Sequence, residues 1–499
     1  PQPLGQLVGG ASLLEPSTVD HLNPLVSAVD FDSHRVKPGS LFCAMSGLKA
    51  HGARFSAQAI ASGAVAILTD PWGAAQAQRA IGEDQIALAV VEDPRAVMGM
   101  AAARLWRHPS EGVLSLGVTG TNGKTTTTFM VEAALRALGR HVGTAGTLGF
   151  RLDGKQVEWQ SSTVTTPESP DLQRLFATFI AEGADSLAME VSSHALALER
   201  VKGIHFDVAG FTMLGRDHLD FHPTMEDYFE TKARLFTELS DVAVVNTDGE
   251  WGQRLAAMLP EERLVTVGRS QQARVRILHD VAVEPLGRRI GLLVDGRSLE
   301  CEIGIAGAHN ADNAATALAM VHAAGLDVET AAHGLAQAQV PGRMQVVDLG
   351  EGAPGVVVDF AHTPQAITEA LSAVPGHRLI TVVGAGGDRD VAKRPLMGRA
   401  AGERSAAVVV TDDNPRTEDP ARIRAAVCEG VRMTDAELVE VGDRRAAIQR
   451  AVQLARPDDV VMVLGKGHER GQQVGERVLD FDDVVVVREV WDAHSRGEA

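Results

Sequence analysis

The sequence predicts an α/β protein of about three domains, and three observations carry that expectation. Its 499 residues exceed what one core ordinarily holds, since domains run to roughly 100–200 residues. Short β-branched runs repeatedly give way to a Gly-rich or polar turn and then an Ala-rich amphipathic stretch, the rhythm of βα units around parallel sheets. Two turn-rich breaks, at 107–112 and 340–343, interrupt that rhythm and divide the chain into 1–110, 111–341 and 342–499.

The clearest strands are expected at 114–118, 186–189, 242–245, 356–358, 379–383, 407–410 and 460–464, each a compact apolar run ahead of a turn. No internal repeat and no low-complexity segment is visible. With 47 basic against 65 acidic residues and a formal charge of -18, the chain lacks the basic footprint that neutralises nucleic-acid phosphates or anionic lipid. Nucleic acid and membrane surface are therefore excluded as expected partners. Cys43, Cys301 and Cys428 are too few and too scattered for a disulfide framework or a thiolate cluster, which suits a reducing cytosol. No apolar run reaches the ~18 residues of a membrane helix, and the segment after Pro1 lacks the basic-then-apolar layout of a signal peptide.

Chemistry first becomes legible at Gly117-Val-Thr-Gly120-Thr121-Asn122-Gly123-Lys124-Thr125-Thr126. An apolar strand precedes this run and a helix over 127–138 follows, so backbone N–H groups and a helix N-terminus can face phosphate. Lys124 would offset β/γ-phosphate charge and Thr125 would hold magnesium. Val118 stands where the strict phosphate-loop pattern has its first glycine. Such a loop indicates a nucleotide, not a reaction.

Two further positions suggest a metal. The strand at 186–189 presents Glu190 at its C-terminal end, where open α/β sheets place ligand groups, and its carboxylate could bind Mg²⁺. Arg216-Asp-His218-Leu-Asp-Phe-His222 packs charged and imidazole groups into a turn, with helix capping as the simpler role for Asp217 or Asp220. In Tyr228-Phe229-Glu-Thr-Lys232-Ala-Arg-Leu235-Phe236, helical periodicity sets apolar residues at i−4, i−3, i+3 and i+4 around the lysine. Burial would neutralise that amine and let it take up CO₂ as a carbamate, whose oxygens can bind Mg²⁺. Periodicity by itself favours a lysine that snorkels past an apolar face.

Taken together, these motifs resemble the Mur ligases in order and spacing. The likeness continues through Gly307-Ala-His309-Asn310-Ala-Asp-Asn313, Gly342-Arg343-Met344, Asp359-Phe-Ala-His362-Thr-Pro364 and Gly465-Lys466-Gly467-His468-Glu469, and so covers nearly the whole chain. It implies an N-terminal UDP-binding domain, a central phosphate-loop ATPase-type domain and a C-terminal Rossmann-like domain, with catalysis where they meet. It also implies ATP as co-substrate, Mg²⁺ as cofactor, and a reaction in which a carboxylate takes the γ-phosphoryl group before an amine displaces phosphate. Residues 120–126, Asn310, Asn313, Arg343 and Asp359 would bind ATP. Lys124, Glu190, His218 and Lys232 would serve catalysis, with Thr125, Glu190, His218 and a carbamylated Lys232 on the metal. His309 and His362 match the pattern too, and a structural imidazole explains either equally well.

The same resemblance points to the substrates. Phe31, Ser33, Leu48, Lys49 and Ala50 match positions at the nucleotide end of UDP-N-acetylmuramoyl-L-alanyl-D-glutamate, although His34 stands where arginine is usual. Thr165, Thr166, Ser192 and Arg200 match contacts to its dipeptide, with Leu198 where relatives can carry glutamine. Turn or capping roles suit Ser33, Thr165 and Thr166 equally well. The strand at 407–410 leads into Thr411-Asp-Asp413-Asn414-Pro415-Arg416. Arginine pairs bidentately with carboxylate, which suits an amino acid with a second carboxylate, and the motif is similar to that of the family's diaminopimelate-adding branch. Arg389, Asp413, Asn414, Pro415, Arg416, Gly465 and Glu469 would thus bind meso-diaminopimelate. The competing expectations are a surface ion pair for Arg416, a lysine-adding sibling, a folylpolyglutamate synthase-like ligase, and a phosphate-loop switch that does not ligate.

Overall fold

The computed structural model describes residues 1–47, 50–159, 165–219, 221–283, 286–350 and 352–497. The chain packs as two compact units, 1–273 with 316–328 and 274–315 with 329–499. Among the described residues no helix is long and apolar enough to cross a membrane.

Among the described residues the first unit holds a small two-stranded sheet, Gln2–Pro3 with Leu25–Val26, and two larger ones. Ala28–Asp30, Ser40–Ala44, Ala66–Thr69 and Ala87–Val90 pair in parallel in chain order. The last three are buried throughout, as parallel strands covered on both faces must be. The helices Pro71–Ile81 and Pro94–Leu105 start alike, with aspartate at the N-cap and proline in the first turn. Asp70 accepts from Gly73 N, and Asp93 from Arg95 N and Ala96 N, satisfying orphan donors while proline removes one.

In the larger sheet the parallel strands run Val142–Gly146, Ser186–Glu190, Leu114–Thr119, Phe206–Phe211, Ser240–Asn246 and Leu264–Gly268, in that spatial order. Leu114–Thr119 is central. Its register sets Val118 opposite Glu190 on one side and Thr119 opposite Phe211 on the other, so three C-terminal ends lie at one edge. The expected strands at 114–118 and 242–245 are each longer by one or more residues because pairing continues past the apolar run. An antiparallel hairpin, Gly149–Leu152 with Lys155–Val157, extends the sheet.

The second unit carries an antiparallel meander, Val275–Val283, Gly287–Val294 and Arg297–Ile303, and a six-stranded sheet. The latter runs Gln345–Val346, Gly355–Asp359, Val460–Leu464, Leu379–Val383, Ala407–Val410 and Glu437–Glu440, parallel except for its first pair. The strands expected at 379–383, 407–410 and 460–464 form over those same residues. Beyond the sheet, Gly471–Val474 and Arg477–Asp480 make a two-stranded ribbon.

Beneath this sheet lies an ion pair that sequence periodicity gives no hint of. Arg444 begins the helix Arg444–Leu454 and Asp483 the helix Asp483–Ser495. Both side chains are wholly buried, joined by Nε–Oδ1 and Nη2–Oδ2 contacts of 2.8 and 2.7 Å. Arg444 Nη2 also donates to Leu464 O at 3.1 Å, tying both helices to the end of a central strand. Removing one partner of such a pair strands the other charge in a medium that cannot solvate it. Arg444→Leu is therefore expected to cost about 3–5 kcal/mol in urea denaturation, and a loss below about 1 kcal/mol would contradict the assignment.

Candidate active site

At the C-terminal edge of the larger sheet, Leu114–Thr119 passes through the loop Gly120–Gly123 into the helix Lys124–Ala137. The helix begins three residues earlier than expected because Lys124 and the threonines after it join its first turn. Gly123 is its N-cap, left-handed at φ 87° and without a side-chain cap, which leaves the first-turn amides to bind an anion. Gly120 has φ 148°, and a Cβ there would fall 2.0 Å from Thr212 Oγ1, so this turn requires glycine. Thr212 Oγ1 donates to Asn122 O at 2.6 Å and Thr121 N to Met213 O at 2.8 Å; the end of the neighbouring strand thus braces the loop. Lys124 Nζ curls back to Gly120 O and Thr121 O, both at 2.9 Å. Thr125 and Thr126 are buried in the first turn.

Glu190 sits beside this helix start and is only 1% exposed. Its carboxylate accepts from Thr125 Oγ1 at 3.0 Å, Thr147 Oγ1 at 3.0 Å and Thr147 N at 2.8 Å. Thr147 was not anticipated, although it follows directly on the end of a parallel strand, the place where ligand groups gather. From Glu190 a chain of small hydroxyls leads outward. Thr147 Oγ1 contacts Thr165 Oγ1 at 3.2 Å, and Thr166 Oγ1 donates to Glu190 O at 2.9 Å and meets Ser192 Oγ at 3.4 Å. Ser192 also caps the helix Ser193–Ala197. Arg200 donates to Thr166 O and pairs with Glu168 at 3.1 Å, while Arg95 holds the other Glu168 oxygen at 2.9 Å. Glu168 was likewise missed; no motif marks it.

The helix expected around Lys232 forms as Met225–Thr237, capped by Thr224. Lys232 is 1% exposed, so it does not snorkel. Its Nζ reaches Gly120 O at 3.0 Å and Thr119 Oγ1 at 3.3 Å, and lies 4.8 Å from the centre of the Tyr228 ring. Burial, reinforced by the charge of Lys124, holds its amine well below the ordinary lysine range. Tyr228 is buried too, its hydroxyl 3.2 Å from Thr121 Oγ1, and burial pushes its phenol up to about 12. The sequence showed Tyr228 only as an apolar neighbour; its hydroxyl links the lysine helix to the phosphate loop. His218 is partly exposed at φ 52° and faces the His194 ring edge-on at 4.9 Å.

Other predicted residues lie elsewhere. Ser33 bonds Gln58 Oε1 at 3.2 Å, and Phe31 lies under Arg35, 5.7 Å from ring centre to guanidinium carbon. Ala50 accepts from Gly47 N; Leu48 and Lys49 fall outside the described residues. In the second unit, Asn310 Nδ2 donates to Ala306 O at 2.6 Å and Asn313 Nδ2 to Asn310 Oδ1 at 2.9 Å. Arg343 stacks 4.8 Å over Phe360. Asp359 accepts from Met344 N and Ala361 N at 2.7 and 2.8 Å, and burial raises its pKa against those bonds. His309 and His362 are exposed.

The second unit also gathers the Asp413–Arg416 turn. Asn414 Nδ2 donates to Glu469 Oε2 at 2.8 Å, and its Oδ1 accepts from Gln473 N at 2.8 Å and Lys466 Nζ at 3.2 Å. Arg416 adopts φ 52°, held by Arg416 N to Gln473 O at 3.1 Å and Gly475 N to Arg416 O at 2.7 Å. Its Nη1 donates to Gly387 O at 2.7 Å, so its present partner is backbone and not a surface carboxylate. Pro415 is buried within the turn. Gly465, at φ 114°, lets the neighbouring strand end approach Asp413, whose Oδ2 would lie 2.6 Å from a Cβ. Arg389 is exposed, near Gly386 and on the same side as Arg416 Nη1.

Three family patterns match this chain: the Mur ligase family catalytic domain over 25–106, the Mur ligase middle domain over 118–321 and the Mur ligase glutamate ligase domain over 342–467. A protein of Corynebacterium glutamicum, named UDP-N-acetylmuramoyl-L-alanyl-D-glutamate–2,6-diaminopimelate ligase, is 42% identical over 480 residues, covering 93% of this chain and 91% of the relative. The chain belongs to the Mur ligase family. A solved structure titled as a ligase of that same name superposes on this Mur ligase with TM-score 0.71 at 31% identity, covering 94% and 95% of the two chains. A Mycobacterium tuberculosis folylpolyglutamate synthase bound to ADP shares the fold, with TM-score 0.60 at 21% identity over 75% of this chain and 92% of its own.

Because the folded-state pKa of Lys232 lies below its unfolded value, the unfolded chain binds the extra proton between the two. Its burial therefore costs most below the depressed pKa, and the cost disappears as pH rises toward the ordinary lysine value. In CO₂-free buffer, the stability of the wild type relative to Lys232→Met should increase with pH across that window. A pH-independent difference in urea denaturation would show that the amine is charged in the folded state.

Proposed function

We propose that this Mur ligase joins meso-diaminopimelate to UDP-N-acetylmuramoyl-L-alanyl-D-glutamate with ATP, forming a UDP-muramoyl tripeptide for peptidoglycan synthesis in the cytoplasm. The observation that carries the reading is the Asp413–Arg416 turn, in which Asn414 couples the arginine loop to Glu469 at 2.8 Å. A cation, Arg416, stands on this turn and an anion, Glu469, is bonded to it, as a zwitterionic amino acid with an additional carboxylate requires. The names of the relatives at about 40% identity support the same substrate pair.

In this reading the dipeptide's terminal carboxylate attacks the γ-phosphorus, ADP leaves, and the amine then displaces phosphate from the acyl phosphate with loss of a proton. Carboxylate and triphosphate repel, so the chain must offset charge before attack. The amides of 120–126 and Lys124 do this at the phosphates, with Asn310, Asn313, Arg343 and Asp359 at the nucleoside end. Phe31, Ser33, Leu48, Lys49 and Ala50 take the uridine side. Thr165, Thr166, Ser192 and Arg200 orient the dipeptide, Arg95 sharing Glu168 so that Arg200 is not fully neutralised. Domain boundaries near 110 and 341 accompany this division of labour.

The donor set suits Mg²⁺: Thr125 Oγ1 and Glu190 Oε2, both hard oxygens, meet at 3.0 Å. His218 and a carbamate on Lys232 would complete the set, and the ion would supply charge neutralisation at the phosphates. Burial, which lowers the pKa of the Lys232 amine, favours the neutral form that reacts with CO₂.

Two measurements test the proposal. ADP formation should depend on both the UDP-dipeptide and diaminopimelate, with lysine a poor substitute; Arg416→Ala should raise the KM for diaminopimelate by roughly 10- to 100-fold, the value of a charged hydrogen bond at about 1.5–3 kcal/mol. Equal use of lysine, or an unchanged preference without Arg416, would refute the amino-acid assignment, and nucleotide binding without ligation would favour a switch. For the carbamate, ¹³C-bicarbonate should give a carbamate NMR signal in wild type that Lys232→Met lacks.

A further inference from the structure

Lys466 belongs to none of the substrate contacts above, yet its burial and partners are unusual for a lysine. It follows the strand Val460–Leu464 and is 0% exposed, a state lysine almost never adopts unless paired. Its Nζ meets Asn414 Oδ1 at 3.2 Å, Glu469 Oε2 at 3.4 Å and Asp413 Oδ1 at 3.7 Å. The flanking Gly465 and Gly467, at φ 114° and 54°, turn the chain so that the intervening side chain points into the protein.

We infer that Lys466 is the positioning residue of the amino-acid site, a buried cation that sets how much negative charge the site offers and where. The charges near it decide this. Asp413 is buried and Glu469 is 37% exposed at its side chain. Without Lys466, two carboxylates and the Asn414 carbonyl oxygen would converge with only the longer-range charges of Arg444 and Lys393 to offset them, and they would repel. With it, Asp413 is offset and Glu469 keeps an outward oxygen able to meet an ammonium. Asn414 is fixed at the same time, since its carbonyl oxygen must face Lys466 and Gln473 N while its amide faces Glu469 Oε2. The orientation of Asn414 is thereby determined, and through Gln473 it is linked to the ribbon that holds Arg416.

This inference rests on the diaminopimelate reading, and the test keeps the two separable. Lys466→Met and the double variant Lys466→Met/Asp413→Asn are compared with wild type by steady-state kinetics in all three substrates and by thermal unfolding. If wild type shows no diaminopimelate-dependent ADP formation, the reading of the site fails. If it does, Lys466→Met should raise the KM for diaminopimelate at least 10-fold while changing those for ATP and the UDP-dipeptide less than 2-fold. Removing the stranded carboxylate in the double variant should recover part of the folding stability, read by thermal unfolding. A diaminopimelate KM within 2-fold of wild type in folded Lys466→Met would overturn the inference. So would equal KM changes for all three substrates, which mark a merely structural lysine. Should Lys466→Met not fold, Lys466→Gln is measured by the same criteria.

Discussion

A carboxylate shut away from water must find donors, and Glu190 finds them on two other segments of the same sheet edge. Thr125 comes from the helix after Leu114–Thr119, and Thr147 from the end of Val142–Gly146. These contacts are possible only because the strands are parallel and in register, so their C-terminal ends finish together. The hydroxyl chain through Thr165, Thr166 and Ser192 and the arginines around Glu168 build outward from that point. A shift in register would invert which side chains face the loop and dismantle the network as a whole.

The same loop is gripped from its other side by Lys232 and Tyr228. Burial lowers the pKa of the Lys232 amine and raises that of the Tyr228 phenol, and both groups touch the loop, at Gly120 O and Thr121 Oγ1. A neutral amine against a backbone carbonyl is tolerable where an ammonium would be costly. Burial therefore does two things at once: it packs the helix Met225–Thr237 onto the sheet and disfavours the charged form of Lys232.

The second unit solves a similar problem by pairing charges instead of neutralising them. Arg444 and Asp483 are buried as an ion pair under the six-stranded sheet, and Lys466 is buried among Asp413, Asn414 and Glu469 above its strand ends. The Asp413–Arg416 turn is thus supported from below by fixed charge and from the side by the ribbon Gly471–Val474 with Arg477–Asp480. Such support suits a turn whose proposed work is discrimination between amino acids, since it leaves few rotamers to be ordered on binding.

The sequence by itself determined the α/β class, several strands to the residue, the phosphate loop and the family, because those depend on local periodicity and contiguous motifs. Around Lys232 the apolar periodicity by itself favoured a lysine that snorkels, and the fold buries it instead. Only the tertiary structure decided who meets whom. Thr147 and Glu190 are 43 residues apart, Tyr228 and Thr121 are 107 apart, and Arg444 and Asp483 are 39 apart. Strand order and register bring these pairs together, and neither is written in any short stretch of chain. For the same reason Lys466 read as one letter of a glycine-rich run: a lysine's partners, and hence the meaning of its charge, are fixed by the fold that encloses it.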